Sequence, residues 1–325
     1  MGKSKKLNIA VITGGNNAER EISIKSANTI MAHLDKEKYS SYLLNYHFGR
    51  FEDAITNLPV DLNKFSMELF DGVVRFDLVI LFLHGTPAED GKIQAYLELM
   101  DIPYVGCDHF TSALTFDKQA CKMYLSNEGV PMAKSVLLYK ENPDLESVKV
   151  LEGHSLFVKP NKNGSSYGIS KVEAGEDYAK AIEKAFEFDD EVIVEQYIKG
   201  REFSNGVYRG SKGLHVMPIT EIIPHNDFFD YEAKYKNKSE EVTPAELNEK
   251  LTQKCQVQSE KLYKILQCKG MVRFDYILID DEFYFLEVNT IPGFSEQSLF
   301  PQQIRAKGLT ISQVLDEIID HTLKK

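Results

Sequence analysis

Four residues close together in sequence, Arg273, Asp275, Glu287 and Asn289, combine charges and amide oxygens in a way that suits metal-dependent chemistry. Residues 271–301 read MVRFDYILIDDEFYFLEVNTIPGFSEQSLFP. The runs MVRFDYILI and FYFLEVNTI, rich in β-branched and aromatic residues, flank Asp280-Asp281-Glu282 and predict a β-hairpin. Side chains alternate along a strand, so Arg273 and Asp275 share a face, as do Glu287 and Asn289. A three-residue loop would set Asp275 opposite Glu287 and Arg273 opposite Asn289. A two-residue loop would separate the acids onto opposite faces, so three residues are expected. Two carboxylates and an amide oxygen beside an arginine would suit a hard cation such as Mg²⁺, which takes oxygen ligands and substrate phosphates. The bland alternative is a solvated hairpin end carrying an ordinary ion pair.

A second chemical signal is FVKPNKNGSSYGISKV, residues 157–172. A strand presents Lys159, and a loop of Gly164, Ser165, Ser166 and Gly168 follows before the next strand. Such a loop can turn backbone N–H groups onto phosphate oxygens while the lysine supplies a point charge. It is not a Walker A loop, since no G-K-[ST] precedes a helix. The alternative is a flexible hairpin tip. VIVEQYIKGREF, residues 192–203, has the form of a buried strand running into a hinge.

These residues need elements to hold them. Residues 7–13 (LNIAVIT) form a continuous apolar run that meets Gly14-Gly15 and then a helical pattern with Ile24, Ala27, Met31 and Leu34 on its apolar face. This strand–turn–helix opening delivers residues 14–19 to the carboxyl end of a strand, where ligands bind in α/β sheets. Residues 76–83 predict a second buried parallel strand ending at His84-Gly85, then a helix over 93–100 and a short strand closing a first domain near Gly106. From Ser112 one helix is expected to carry Asp117, Lys118 and residues 121–127 up to the stop signal Gly129-Val130-Pro131. Strands at 135–139, 156–160, 169–172 and 192–196 with a helix at 177–186 predict a small α+β unit. Strands at 202–208 and 214–223 and the opening hairpin make a third. Residues 225–243 are polar and aperiodic, as expected of a lid or a disordered segment. A last helix places Ile311, Val314, Leu315, Ile318 and Ile319 on one stripe.

At 325 residues the chain exceeds what one hydrophobic core usually supports, so two or three domains are expected. A net charge of -11 argues against nucleic acid or an anionic membrane surface as partner. Cys107, Cys121, Cys255 and Cys268 form no C-x-x-C pair and read as reduced structural thiols of a cytoplasmic protein. No signal peptide, myristoylation pattern or membrane-spanning stretch is expected.

Taken together the chain resembles the ATP-grasp superfamily, and within it the D-alanine–D-alanine ligases. The segments that carry the resemblance run in order: GGNNAEREIS, HGTPAEDGKIQAYLELMDIPYVG, SALTFDK, VKPNKNGSSYGISKV, VEQYIKGREF, DYEAKY, VRFDY, and LEVNTIPG with SLFP. The fold implied is a doubly wound, Rossmann-like N-terminal α/β domain over residues 1–106. A two-part α+β ATP-grasp domain would follow, over 107–194 and 195–325. The activity implied is ATP-dependent joining of two D-alanines through an acyl phosphate, for peptidoglycan synthesis, with two Mg²⁺ or Mn²⁺. Asp275, Glu287 and Asn289 would hold the metals. Lys118 and Lys159 would meet the phosphates, under the loop of Ser165 and Ser166. Glu195, Gln196, Tyr197, Ile198 and Glu202 would bind adenine and ribose, and Lys234 the γ-phosphate. Glu19 would bind the first D-alanine's ammonium, Arg273 and the backbone of Gly293 the oxyanion, and Ser298 and the N–H of Leu299 the second carboxylate. Tyr235 would reach from the lid to Ser165 and Glu19, and His84 would lie beside the same site. The resemblance also implies a homodimer. Two departures stand out, Ala88 where relatives usually carry glycine and Glu296 where small or hydroxyl residues are common. The rival activities are D-alanine–D-lactate or other D-amino acid ligation, and a non-catalytic nucleotide-binding regulator.

Overall fold

The computed structural model describes residues 6–70, 72–164, 167–224 and 239–324. The opening apolar run forms the strand Leu7–Gly14, with Ile9, Ala10, Val11 and Ile12 fully buried. A strand apolar on both faces belongs inside a parallel sheet, and this one pairs in parallel with Tyr39–His47 on one side and Leu78–Leu81 on the other. Arg50–Asp53 and Tyr104–Val105 complete the five-stranded sheet at its two edges. Beside it lies a small three-stranded meander of Val60–Asp61, Ser66–Leu69 and Gly72–Arg75.

The first helix, Arg20–His33, is rotated from the expected face. Ala27 and Leu34 are buried, but Ile24 and Met31 only partly, while Ser23, Ser26 and Thr29 turn inward. The hydroxyls explain it. Ser23 Oγ accepts the backbone N–H of His84 at 2.9 Å and Ser26 Oγ accepts that of Phe294 at 3.0 Å. Donors that would otherwise be orphaned are satisfied by this seam, which outweighs a purely apolar stripe. The single helix expected from Ser112 is two, His109–Phe116 and Lys118–Leu125. Asp117 stands between them in extended backbone and accepts the N–H of Ala120 at 2.9 Å, so its carboxylate caps the second helix instead of continuing the first.

The second sheet is fully antiparallel, in the order Ser170–Val172, Leu156–Pro160, Glu191–Gln196, Ser135–Tyr139. The third is also antiparallel: Ser239–Val242, Gly213–Pro224, Arg201–Gly210, Met271–Ile279 and Glu282–Asn289. The strand Ser239–Val242 occupies the end of the stretch expected as an irregular lid, and residues 225–238 lie outside the described residues. The sequence reading had no counterpart for the 17-residue helix Glu249–Ile265. Its buried seam is Leu251, Cys255, Ser259, Leu262 and Tyr263, in which a serine and a cysteine weaken the apolar periodicity.

The last helix, Ile311–Leu323, buries the five predicted residues and caps its own start with a Thr310–Gln313 capping box. Those residues share a core with Ile9–Ile12 and Leu78–Leu81, so the end of the chain packs on its beginning. All four cysteines are buried free thiols. Among the described residues no helix is long and apolar enough to cross a membrane.

Candidate active site

The hairpin has the expected pairs for an unexpected reason. Its loop is two residues, Asp280-Asp281, both left-handed at φ 46° and 62°, with Ile279 paired to Glu282. Uninterrupted pairing would place Leu286 opposite Asp275. Instead the register shifts, so that Tyr276 faces Phe285 while Asp275 faces Glu287 and Arg273 faces Asn289. Leu286 is the extra residue of a β-bulge. The expected three-residue loop is therefore wrong, and the bulge supplies the missing step. It also lets Leu286 and Glu287 line the same cleft, which strict alternation forbids.

Asp275, only 5% exposed, is the centre of the cluster. Its Oδ1 accepts from Ser204 Oγ at 2.7 Å and Arg273 Nε at 2.9 Å; its Oδ2 accepts from Arg273 Nη2 at 2.8 Å and Asn289 Nδ2 at 3.0 Å. The bidentate arginine balances the buried charge. Because Asn289 offers its nitrogen to Asp275, its amide oxygen is left for another partner. Two carboxylates and that oxygen are a hard-donor set that fits Mg²⁺. Among the described residues no three acidic, histidine or cysteine side chains gather as a self-contained metal cage. A Mg²⁺ arriving with a phosphorylated substrate needs no more, since it keeps waters and phosphate oxygens and takes one or two carboxylates.

Lys159 and Glu195 of the cleft lining form a buried charge triad with Lys122 behind them. Glu195 Oε2 meets Lys159 Nζ at 2.6 Å and Oε1 meets Lys122 Nζ at 2.6 Å, while Lys122 also donates to Ala133 O at 2.8 Å. Burial alone would raise the Glu195 carboxyl, but the attraction of Lys159 and Lys122 wins and holds it at about 2. The triad keeps one net positive charge in a place suited to an anionic ligand. Lys122 was missed in the sequence, although it follows Lys118 by four residues and so shares its helix face. Lys118 Nζ donates to Asn163 O at 2.6 Å. Asn161, fully buried, ties that helix to the glycine loop, donating to Asp117 and to Glu191, each at 2.8 Å. Beyond the triad, Tyr197 stacks near Phe157 with ring centroids 6.2 Å apart and lies under Lys171 Nζ.

Glu19 is the N-cap residue of the first helix, its carboxylate against the glycine loop. A Cβ on Gly164 would stand 3.0 Å from Glu19 Oε2, so a larger residue there would push the Glu19 carboxylate aside by a few tenths of an ångström. His84 is nearly buried, with Nε2 3.5 Å from Ser26 Oγ and Nδ1 3.7 Å from Glu89. Ala88 is buried without a left-handed backbone, so this loop does not need glycine there. Gly293 lies where a Cβ would press on Ser298 Oγ at 3.2 Å. Ser298 precedes the helix Leu299–Ala306 and accepts the N–H of Ser295 at 3.1 Å. The N–H of Leu299 belongs to that helix's first turn, a favourable place for a carboxylate.

These groups share one cleft of about 1120 Å³. It is lined by Glu19, His84, Lys118, Lys159, Glu195, Gln196, Tyr197, Ile198, Glu202, Arg273, Asp275, Glu287, Asn289, Gly293, Ser298 and Leu299. The remaining site residues expected from the sequence, Ser165, Ser166, Lys234 and Tyr235, lie outside the described residues. A cleft that brings together lysines, a carboxylate cluster and helix-terminal donors can align a phosphorylated ligand with small zwitterions.

The family models for the D-ala D-ala ligase N-terminus and C-terminus match residues 54–107 and 124–320. The D-alanine–D-alanine ligase of Parabacteroides distasonis is 42% identical over 325 residues, 98% of each chain. That of Flavobacterium johnsoniae is 41% identical over 321 residues, 97% of this chain and 99% of the relative. Among solved structures, the VanG D-Ala:D-Ser ligase from Enterococcus faecalis superposes with a TM-score of 0.88 at 34% identity, covering 97% of this chain and 99% of that one. The D-alanine–D-alanine ligase from Bacillus anthracis complexed with ATP gives a TM-score of 0.80 at 31% identity, covering 98% of each. With its ATP-grasp fold and two-part family match, the chain belongs to the D-alanine–D-alanine ligase family.

Proposed function

We propose that the chain joins two D-alanines into D-alanyl-D-alanine using ATP, releasing ADP and phosphate, as a cytoplasmic step of peptidoglycan synthesis. The observation that carries this is the single cleft lined by Lys159 and Glu195, the acidic hairpin and the Ser298 helix terminus, in a chain matched over nearly its whole length by D-alanine–D-alanine ligases. The three-part division at 1–106, 107–194 and 195–325, and a homodimer, are parts of the same proposal.

The reaction needs a carboxylate made electrophilic and an amine brought to it. The first D-alanine's carboxylate takes the γ-phosphoryl group of ATP, the second amine attacks the acyl carbon, and phosphate leaves as the amine loses its proton. Positioning and charge balance are most of such catalysis. Glu19 holds the first ammonium. Lys118 and Lys159 meet the phosphates, with Ser165, Ser166 and Lys234 completing that wall. Glu195, Gln196, Tyr197, Ile198 and Glu202 frame adenine and ribose. Asp275, Glu287 and Asn289 would hold two Mg²⁺ or Mn²⁺, whose contribution is to neutralise phosphate charge. Arg273 and the N–H of Gly293 face the oxyanion, an effect worth about 3–4 kcal/mol per donor. Ser298 and the Leu299 N–H take the second carboxylate. His84 braces the first-substrate wall, and the family resemblance assigns Tyr235 a place beside Ser165 and Glu19.

The test is phosphate release with D-alanine, L-alanine, D-serine and D-lactate, singly and in pairs with D-alanine, with products identified by mass. Release should need D-alanine, and mixtures should yield mainly the D-alanine dipeptide. Phosphate release indifferent to D-alanine would remove the ligase reading. Dominance of a D-serine or D-lactate product would correct the second substrate only.

A further inference from the structure

Glu296 places a carboxylate beside the second-substrate end of the cleft, where an unbalanced negative charge would oppose a substrate carboxylate. The structure balances it. Glu296 Oε1 meets His33 Nε2 at 2.7 Å, at the last residue of the first helix. Its Oε2 meets Arg305 Nη1 at 3.4 Å, and its carbonyl accepts from Arg305 Nη2 at 2.7 Å, on the helix that follows the loop. His33 is itself pinned, its carbonyl accepting from Ser312 Oγ at 2.8 Å. The adjoining loop residues are tied to the same two walls. Phe294 N–H donates to Ser26 at 3.0 Å, and Gln297 O accepts from Gln302 Nε2 at 2.7 Å. Glu296 is thus the one side chain of residues 293–298, among the described residues, whose carboxylate contacts both helices that bound this end, by a hydrogen bond to His33 and an ion pair to Arg305.

We propose that Glu296 is a positioning residue for the second substrate. It spans the helices Arg20–His33 and Leu299–Ala306 and fixes where Ser298 and the Leu299 N–H present themselves to that substrate's carboxylate. Arg305 balances its charge, and the His33 ring nitrogen holds its other oxygen. This rests on the ligase reading above and adds a determinant of which amines are accepted.

D-Alaninamide separates the two. It has no carboxylate to be phosphorylated, so it can serve only as the attacking amine. With D-alanine, D-alaninamide and ATP together, the ratio of dipeptide to dipeptide amide reports carboxylate recognition in each turnover, whatever fraction of the protein is active. Wild type should favour the dipeptide. Glu296→Ala should lower that preference about threefold by loosening the loop, in the range expected for partly exposed ion pairs. Arg305→Met should lower it more, about tenfold, because Glu296 then faces the carboxylate with less compensation. His33→Asn should fall between, and Glu296→Ala/Arg305→Met should return to the Glu296→Ala level. An identical product ratio in wild type and every variant overturns the proposal, as does a wild type indifferent to acid or amide. Failure of wild type to form either product overturns the ligase reading and this proposal with it.

Discussion

Glu287→Gln should lower turnover at ordinary Mg²⁺ concentrations by a hundredfold or more and leave the fold intact. Losing a partner behind a metal ligand already lowers metal affinity or activity by about 10–100-fold, and a lost ligand should exceed that. The amide keeps the size of the side chain but cannot supply the anionic oxygen a hard cation needs. Glu287 stands opposite Asp275, whose oxygens are already committed to Arg273, Ser204 and Asn289. Glu287 lines the cleft across from it, so both carboxylates border the place where a cation would meet a phosphorylated ligand. Far-UV circular dichroism and thermal midpoint check the fold. Mn²⁺ titration followed by electron paramagnetic resonance, with ADP present, checks the metal independently of turnover. Near wild-type turnover, or unchanged Mn²⁺ affinity, would show that Glu287 is not a ligand.

The second large effect is on stability. Glu195→Gln leaves Lys122 and Lys159 facing each other in a buried site without the carboxylate that pairs them. Breaking one side of a buried ion pair typically costs about 3–5 kcal/mol. Because the Glu195 carboxyl is held at about 2, below its usual value near 4.5, its ionisation stabilises the fold fully above that usual value. The contribution fades as pH falls toward 2. Wild type should therefore lose stability between about pH 4.5 and 2, with a steeper decline there than Glu195→Gln, which has no such proton to bind. Urea midpoints across pH 2–7 measure both. Adding Lys122→Met to Glu195→Gln should recover part of the loss by removing one of the two uncompensated ammoniums. A Glu195→Gln midpoint equal to wild type at neutral pH, with parallel pH curves, would mean the triad is energetically idle. The nucleotide should also bind more weakly to Glu195→Gln, since Lys159 loses its anchor.

Much of this protein could be read from local pattern. The buried strands Leu7–Gly14 and Leu78–Leu81, the hairpin 271–289 and the stripe Ile311–Ile319 announce themselves because runs of apolar residues are most easily satisfied by burial. The candidate site residues stand out as chemical types at fixed spacing, and the order of the motifs along the chain carried the family. What remained hidden depended on partners remote in sequence. The serine face of Arg20–His33 makes sense only once His84 and Phe294 bring backbone donors to it. Lys122 looks like a solvated helix residue until Glu195, 73 positions away, closes on it. The bulge at Leu286 leaves no mark in composition, yet it decides that Asp275 and Glu287 face each other across a two-residue turn. Glu296 reads as an intruding charge until the fold delivers His33 across 263 positions. Periodicity reports which side of an element avoids water, and the sequence alone determined that. Which polar groups meet, and at what register, is settled by desolvation and hydrogen bonding between distant segments, and only the tertiary structure decided it.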